Sequence, residues 1–283
     1  MPTSTSFSSV DTALRLTAIA LLLRPMGPWF VRPALIAAAA LALIYPRALA
    51  SARLWGAVAL LIAFRIADNW PLADNHIYLL AYWALAIALS LRGAAPPAAL
   101  AHNSRWLIGL AFACAVLWKA VLAPDFLDGR FFRVTLLTDP RFGEAAMLIG
   151  GLSQEELVAN RRALSPLPEG AAWQTPPPIV ETPRLRALAR ASTWGILLLE
   201  AAVAVAMLAS APAWIRHALL LVFCLVTYAF APVAGFGWVL LVMGLTQTSD
   251  DDVWLRRLYV ATFLVILFYS EVPWAALLLD VMA

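Results

Sequence analysis

Lys119 is the only lysine in a chain of 283 residues that carries nineteen arginines, and it lies inside the apolar run 106–123. Arginine stays charged at any ordinary pH, whereas a desolvated lysine can give up its proton and act as a general base. A titratable group at membrane depth is costly enough to be read as functional by default. The competing reading is anchoring. Lys119 stands four residues, about 6 Å of helical rise, from the end of its run, where a lysine can snorkel to the interface and suits a helix C-terminus. Every other basic position in this chain is arginine, which weighs for the special role.

Two further groups could share that chemistry. Asp74, Asn75 and His76, with Tyr78 close behind, cluster at the mouth of an apolar run that starts at His76. Asn75 and His76 offer donors and acceptors for a polar head group, and Asp74 or Asn75 also suits a helix N-cap. Glu200 lies about eight residues into the run 192–210. A carboxylate at that depth is expected to be neutral or paired, either in a site or in an interhelical hydrogen bond. Arg65 and Asp68, three apart, are expected to form a local ion pair. Asp125 and Asp128 lie in a turn-like stretch closed by Gly129.

The elements that must position these groups are membrane helices. The chain is 63% hydrophobic and 13% charged, about half the charged fraction of a soluble domain. Runs of about 20 apolar residues can span a bilayer, and candidates fall at 29–45, 48–67, 76–91, 105–123, 192–210, 214–231, 234–248 and 257–279. The prediction is an all-α polytopic integral membrane bundle of seven or eight spans. The stretch 10–23 is expected to be an interfacial or partly inserted helix, and Pro273 to kink or shorten the last span. The N-terminus lacks the basic start and cleavage site of a signal peptide and is expected to be retained.

Short loops set the orientation. Arg47 with Arg53, Arg92 with Arg105, Arg216, and Arg256 with Arg257 mark four of them, whereas 68–75 and 231–235 hold no Lys or Arg. The positive-inside rule puts the arginine-bearing loops in the cytoplasm, although Arg15, Arg24 and Arg32 fit it poorly. The chain reads as a single membrane domain, 1–283, with one polar excursion, 124–191, on the extracytoplasmic side. That excursion holds eight arginines, eight acids and eight prolines. Within it, Ser153 and Glu156 predict a capping box opening one amphipathic helix near 153–164, followed by an extended Pro-rich return.

Composition also excludes classes. Net charge is +3 and the arginines are scattered, so nothing marks a nucleic-acid partner. His76, His102 and His217 are too far apart for a local zinc motif, and no metal is expected. Cys114 and Cys224 lack ligand spacing and read as buried, reduced residues.

Asp74-Asn75-His76-x-Tyr78-Leu79, then a span ending in Lys119, then Asp125-Phe126-Leu127-Asp128-Gly129, resembles the horizontally turned transmembrane (HTTM) family. That is the membrane region shared by the vitamin K-dependent gamma-carboxylases and many bacterial relatives. A later span with Glu200, then His217 and the run 230–244, is also similar, so the resemblance covers roughly residues 10 to 270. It implies that Lys119 deprotonates a reduced, vitamin K-like quinone, with His76 as a second catalytic residue and Asn75, His76, Tyr78 and Glu200 around that cofactor. It also implies a bacterial inner-membrane location.

In the carboxylases oxygen then yields an epoxide and a strong base that opens a glutamate to carbon dioxide. Here the stretch comparable to their further histidine reads Leu221-Val222-Phe223-Cys224, and the 124–191 excursion is expected to be the only sizeable region outside, in place of their large lumenal recognition region. The expected function is therefore a quinol-dependent oxygenase or carboxylase-like site at the outer membrane face, with a protein or peptide partner supplying recognition. The alternative is a non-enzymatic membrane protein assisting peptide maturation, redox chemistry or export. A transporter is disfavoured, because no paired broken spans occur in two halves.

Overall fold

The computed structural model describes residues 8–167, 169, 178–230 and 234–272, and every regular element among them is helical. In chain order these are α1 (Ser9–Leu23), α2 (Val31–Ile44), α3 (Pro46–Leu49), α4 (Ala52–Asp68), α5 (Asn75–Ser90), α6 (Pro96–Leu117), α7 (Pro124–Leu127), α8 (Arg130–Thr138), α9 (Gly143–Leu148), α10 (Gln154–Ala163), α11 (Pro183–Leu208), α12 (Ala213–Phe230), α13 (Ala234–Leu245) and α14 (Val253–Glu271). A π-helical turn, Trp118–Leu122, extends α6, and a 3₁₀ turn, Pro140–Phe142, precedes α9. Most of the Pro-rich return, with Pro176 and Pro177, and the expected kink at Pro273 lie outside the described residues.

Local chemistry starts these helices where it should. Ser8, Ser51, Thr182 and Asp252 each accept a backbone N–H of the first turn of α1, α4, α11 and α14, satisfying donors that have no partner within the helix. Pro96, Pro124 and Pro183 occupy first-turn positions, where a missing N–H costs nothing. The capping box of Ser153 and Glu156 is present and opens α10.

Among the described residues, four helices are long and apolar enough to cross a membrane: Pro96–Leu122, Pro183–Leu208, Ala213–Phe230 and Val253–Glu271. They match the expected runs at 105–123, 192–210, 214–231 and 257–279, with α6 and α11 beginning well before their runs. The other four runs form helices of 14, 17, 16 and 12 residues. The chain is thus a helical integral membrane protein by composition and element length.

Helix α13 is the centre of the main apolar cluster. Trp238, Val239, Leu240, Leu241, Val242, Met243 and Leu245 are all at most 3% exposed, so the helix is covered on every side, as its unbroken hydrophobicity requires. Close approach needs glycine: a Cβ at Gly244 would meet the Tyr259 ring at 2.5 Å, and one at Gly237 the Tyr228 ring at 2.6 Å. Helix α1 packs against α13 and α2 and buries Ala13, Leu14, Ala18 and Leu21. Trp83 of α5 donates to Thr17 (3.1 Å). The stretch 10–23 is therefore a core element of the bundle.

The excursion is more ordered than its composition predicts. Leu136 and Leu137 of α8, Ala145 and Ala146 of α9, Leu157 of α10, and Leu185, Leu188 and Ala189 of α11 form a second apolar cluster. The end of the return is pinned by Asn160, fully buried, which exchanges two hydrogen bonds with the Val180 backbone (2.8 and 2.9 Å). Arg65 and Asp68 form no ion pair: the Arg65 stem lies beside Gly27, and Asp68 is exposed. Cys224 is buried, but Cys114 is exposed on α6.

Candidate functional site: a lysine–glutamate pair between two long helices

Helices α6 and α11 run antiparallel. A Cβ at Gly109 would meet Leu208 at 2.7 Å, so the two backbones approach closely there. Further along α6, and back along α11, the same register brings Lys119 to Glu200. The Lys119 ammonium donates to both carboxylate oxygens of Glu200. The lysine side chain is 22% exposed and the glutamate 7%, so the pair is shielded on one side and open through the lysine.

The π-helical turn sets the lysine. Pro124 cannot continue a helix, and the residue before a proline avoids helical backbone. Ala123 accordingly leaves the helix, and its N–H reaches the Trp118 carbonyl five residues back (3.0 Å). One extra residue in the turn shifts the phase of the side chains there, a device that recurs at functional sites. Four-residue α7 then folds Phe126 back beneath the ammonium, 5.5 Å from nitrogen to ring centroid, within cation–π range. Phe126 is itself packed against Phe131 (5.4 Å) and Phe132 (5.8 Å). Sequence alone does not single out Phe126; an apolar side chain lodged between Asp125 and Asp128 is its only trace.

The Asn75–His76 group is at the same end of the bundle. Helices α5 and α6 form an antiparallel pair in register through Asn103 and Ser90 (3.1 Å), which places His76 level with Lys119. Asp74 has the N-cap backbone conformation but no side-chain cap bond, Asn75 is exposed, and His76 and Tyr78 are half-buried. The His76 ring lies against Gly235, where a Cβ would stand 3.1 Å from it. Asp74 and Arg24 are the charges that act on it. Phe236, one residue on, faces Phe112 of α6 (6.3 Å). Among the described residues, no hydrogen bond or ion pair joins Asn75, His76 or Tyr78 to the Lys119–Glu200 pair.

His217 of α12 is hydrogen-bonded to the Tyr259 hydroxyl (2.7 Å) at the opposite end. A groove of about 480 Å³ lies between α1 and α14, lined by Thr12, Arg256, Val260 and Leu264 among others. It touches neither member of the pair.

Chemically, the pair holds one proton that can reside on the amine or on the carboxylate. Such a pair can accept a proton from an acidic hydroxyl and hand it on. Compared with protein-family models, curated proteins and solved structures, the chain matches none of them.

Proposed function

We propose that this chain is an HTTM-type membrane protein of seven or eight spans whose Lys119–Glu200 pair takes a proton from a membrane-borne quinol at the outer face of a bacterial inner membrane. The observation that carries this reading is the chain's single lysine bonded to a buried carboxylate while remaining open on one side. The residues present suit a reduced quinone: an acid–base pair to receive a hydroxyl proton, and the rings of Phe126 and Phe131, the latter 47% exposed, as an aromatic platform for a flat ligand. When bound, the reduced quinone would supply reducing electrons for oxygen. Lys119 and Glu200 would hold and pass the proton, and Asn75, His76 and Tyr78, at the same level, would bind the far side of a ligand spanning both groups. The excursion then faces outward and meets the peptide partner.

Another reading keeps the site and drops the chemistry: an accessory protein that binds a quinol or a peptide in the same place. It is favoured by the separation of His76 from the pair. The deciding measurement is oxidation of reduced naphthoquinones by the purified protein under oxygen, with epoxide and quinol binding both followed. Epoxide from wild type and none from Lys119→Ala is the expected result. Binding without epoxide in wild type would favour the accessory role, and no binding would remove both readings.

A further inference from the structure

The end of the α6–α11 pair remote from Lys119 carries a different site. Ser104 of α6 shares a hydrogen bond with Thr246, just beyond α13 (2.7 Å), and this buried bond joins the segments that carry Arg105 and Gln247. Arg105 Nη1 donates to Ser210 Oγ (2.6 Å) past the end of α11. Arg216 Nη1 donates to Gln247 Oε1 (3.0 Å) from the first turn of α12. Two guanidinium groups from different helices therefore flank one junction, and their charges act on one another.

Neither is neutralised. Among the described residues no carboxylate lies within ion-pairing distance of Arg105 or Arg216. Asp252, whose charge reaches neighbouring His217, is engaged as the N-cap of α14. Two donors at the junction, Arg216 Nε and Gln247 Nε2, are buried without a partner. A buried donor left unmade is costly, and here both point to a missing acceptor. Like charges that act on one another call for the same thing: an anion with several oxygens, to which arginine binds in bidentate fashion.

Exposed tryptophans give the setting. Trp106, Trp214 and Trp254, 41%, 72% and 75% exposed, lie at this end, on α6, α12 and α14. Tryptophan gathers at the lipid headgroup level. We infer that Arg105, Arg216, Gln247 and Ser210 form a binding site for the phosphate of an anionic phospholipid at the membrane interface. A guanidinium near an anionic leaflet strengthens binding roughly fivefold.

The test uses the full chain purified in detergent, with retention of phosphatidylglycerol against phosphatidylcholine read by native mass spectrometry and lipid-dependent Tm. Wild type is expected to retain phosphatidylglycerol selectively. Arg105→Gln with Arg216→Gln is expected to weaken that retention about thirtyfold, while Arg53→Gln with Arg257→Gln, an equal loss of charge elsewhere, leaves it intact. Gln247→Glu supplies the missing carboxylate, so it should fold well and lose the lipid, which covers the case of an unfolded double variant. Equal retention by wild type, the Arg105/Arg216 variant and Gln247→Glu would overturn the site. Inorganic phosphate raising Tm as much as phosphatidylglycerol, with no lipid retained, would overturn the lipid as its occupant.

Discussion

At the residue scale, the pair between Lys119 and Glu200 sets the expectations. Removing one member of a shielded ion pair leaves an uncompensated charge and costs about 3 kcal/mol, whereas replacing both by apolar residues of similar volume is often near neutral. Lys119→Met and Glu200→Leu are each expected to lower the unfolding midpoint in detergent. The double variant should recover most of the loss while staying inactive toward quinol. Lys119→Arg keeps a cation opposite Glu200 and should keep the fold, yet abolish proton transfer, because arginine does not give up its proton. A fully active Lys119→Arg protein would make the lysine an anchor.

Both partners are legible in the sequence as anomalies, a lone lysine and an acid in an apolar run, but their pairing is not. They lie 81 residues apart, and only the register of α6 on α11, set by the contact at Gly109, puts them together. Phe126 is hidden for the same reason, since its role depends on where α7 turns.

At the element scale, helix α13 and the short helices of the excursion behave differently. Gly244→Ala would push a methyl group into the Tyr259 ring and move the hydrogen bond that ring's hydroxyl makes with His217. A cost of about 1–3 kcal/mol is expected from overpacking, read as a lower Tm, with Gly56→Ala, which meets open space, as the neutral control. The excursion should respond to acid. The side-chain hydrogen bond from Arg141 holds the Asp139 carboxyl below its ordinary range, helped by a backbone bond from Arg141. Stability from a depressed carboxyl is present above the ordinary carboxylate pKa of about 4 and is lost as pH falls through the lower folded value. Hydrogen exchange across α8 and α9 should therefore accelerate below about pH 4, and less so in Asp139→Asn, where the titrating group is gone. The capping box at Ser153 is readable because its signal is local, spanning a single helical turn. Helices α7 and α9 are not: at four and six residues each is too short to show a period, and the apolar cluster of the excursion is assembled from separate segments.

At the scale of the whole molecule, membrane character is plain in composition, and four of the apolar runs become helices that, among the described residues, are long and apolar enough to cross a bilayer. The remaining runs are harder to place, because apolar residues face lipid or protein with equal ease. Residues 10–23 and α13 illustrate this. As sequence, residues 10–23 are short and interrupted, yet they are held in the bundle by Trp83 and by α13. Helix α13 reads as one span among many and is instead the covered centre. The same layout puts the proton-handling pair and the arginine junction at opposite ends of α6 and α11, about 20 Å of helical rise apart. Removing the arginines is accordingly expected to leave quinol binding at Lys119 unchanged, a separation that titrating quinol into Arg105→Gln protein would check.

The seat of α1 on α13 has a consequence for biogenesis. An early helix packs against an element far later in the chain, and the Ser9 N–H closes on Asp250 Oδ1 (2.7 Å) beyond it. Until α13 arrives, α1 has α2 and Trp83 beside it but the surface that meets α13 is uncovered, and α13, about 18 Å long, is too short to wait in the bilayer alone. Nascent chains stalled before residue 234 should leave a cysteine introduced at Ala13 open to alkylation, and chains completed past 272 should bury it. Helices α1 and α13 are thus assembled on each other across most of the described sequence, and the membrane must hold an unfinished bundle open until its core is translated.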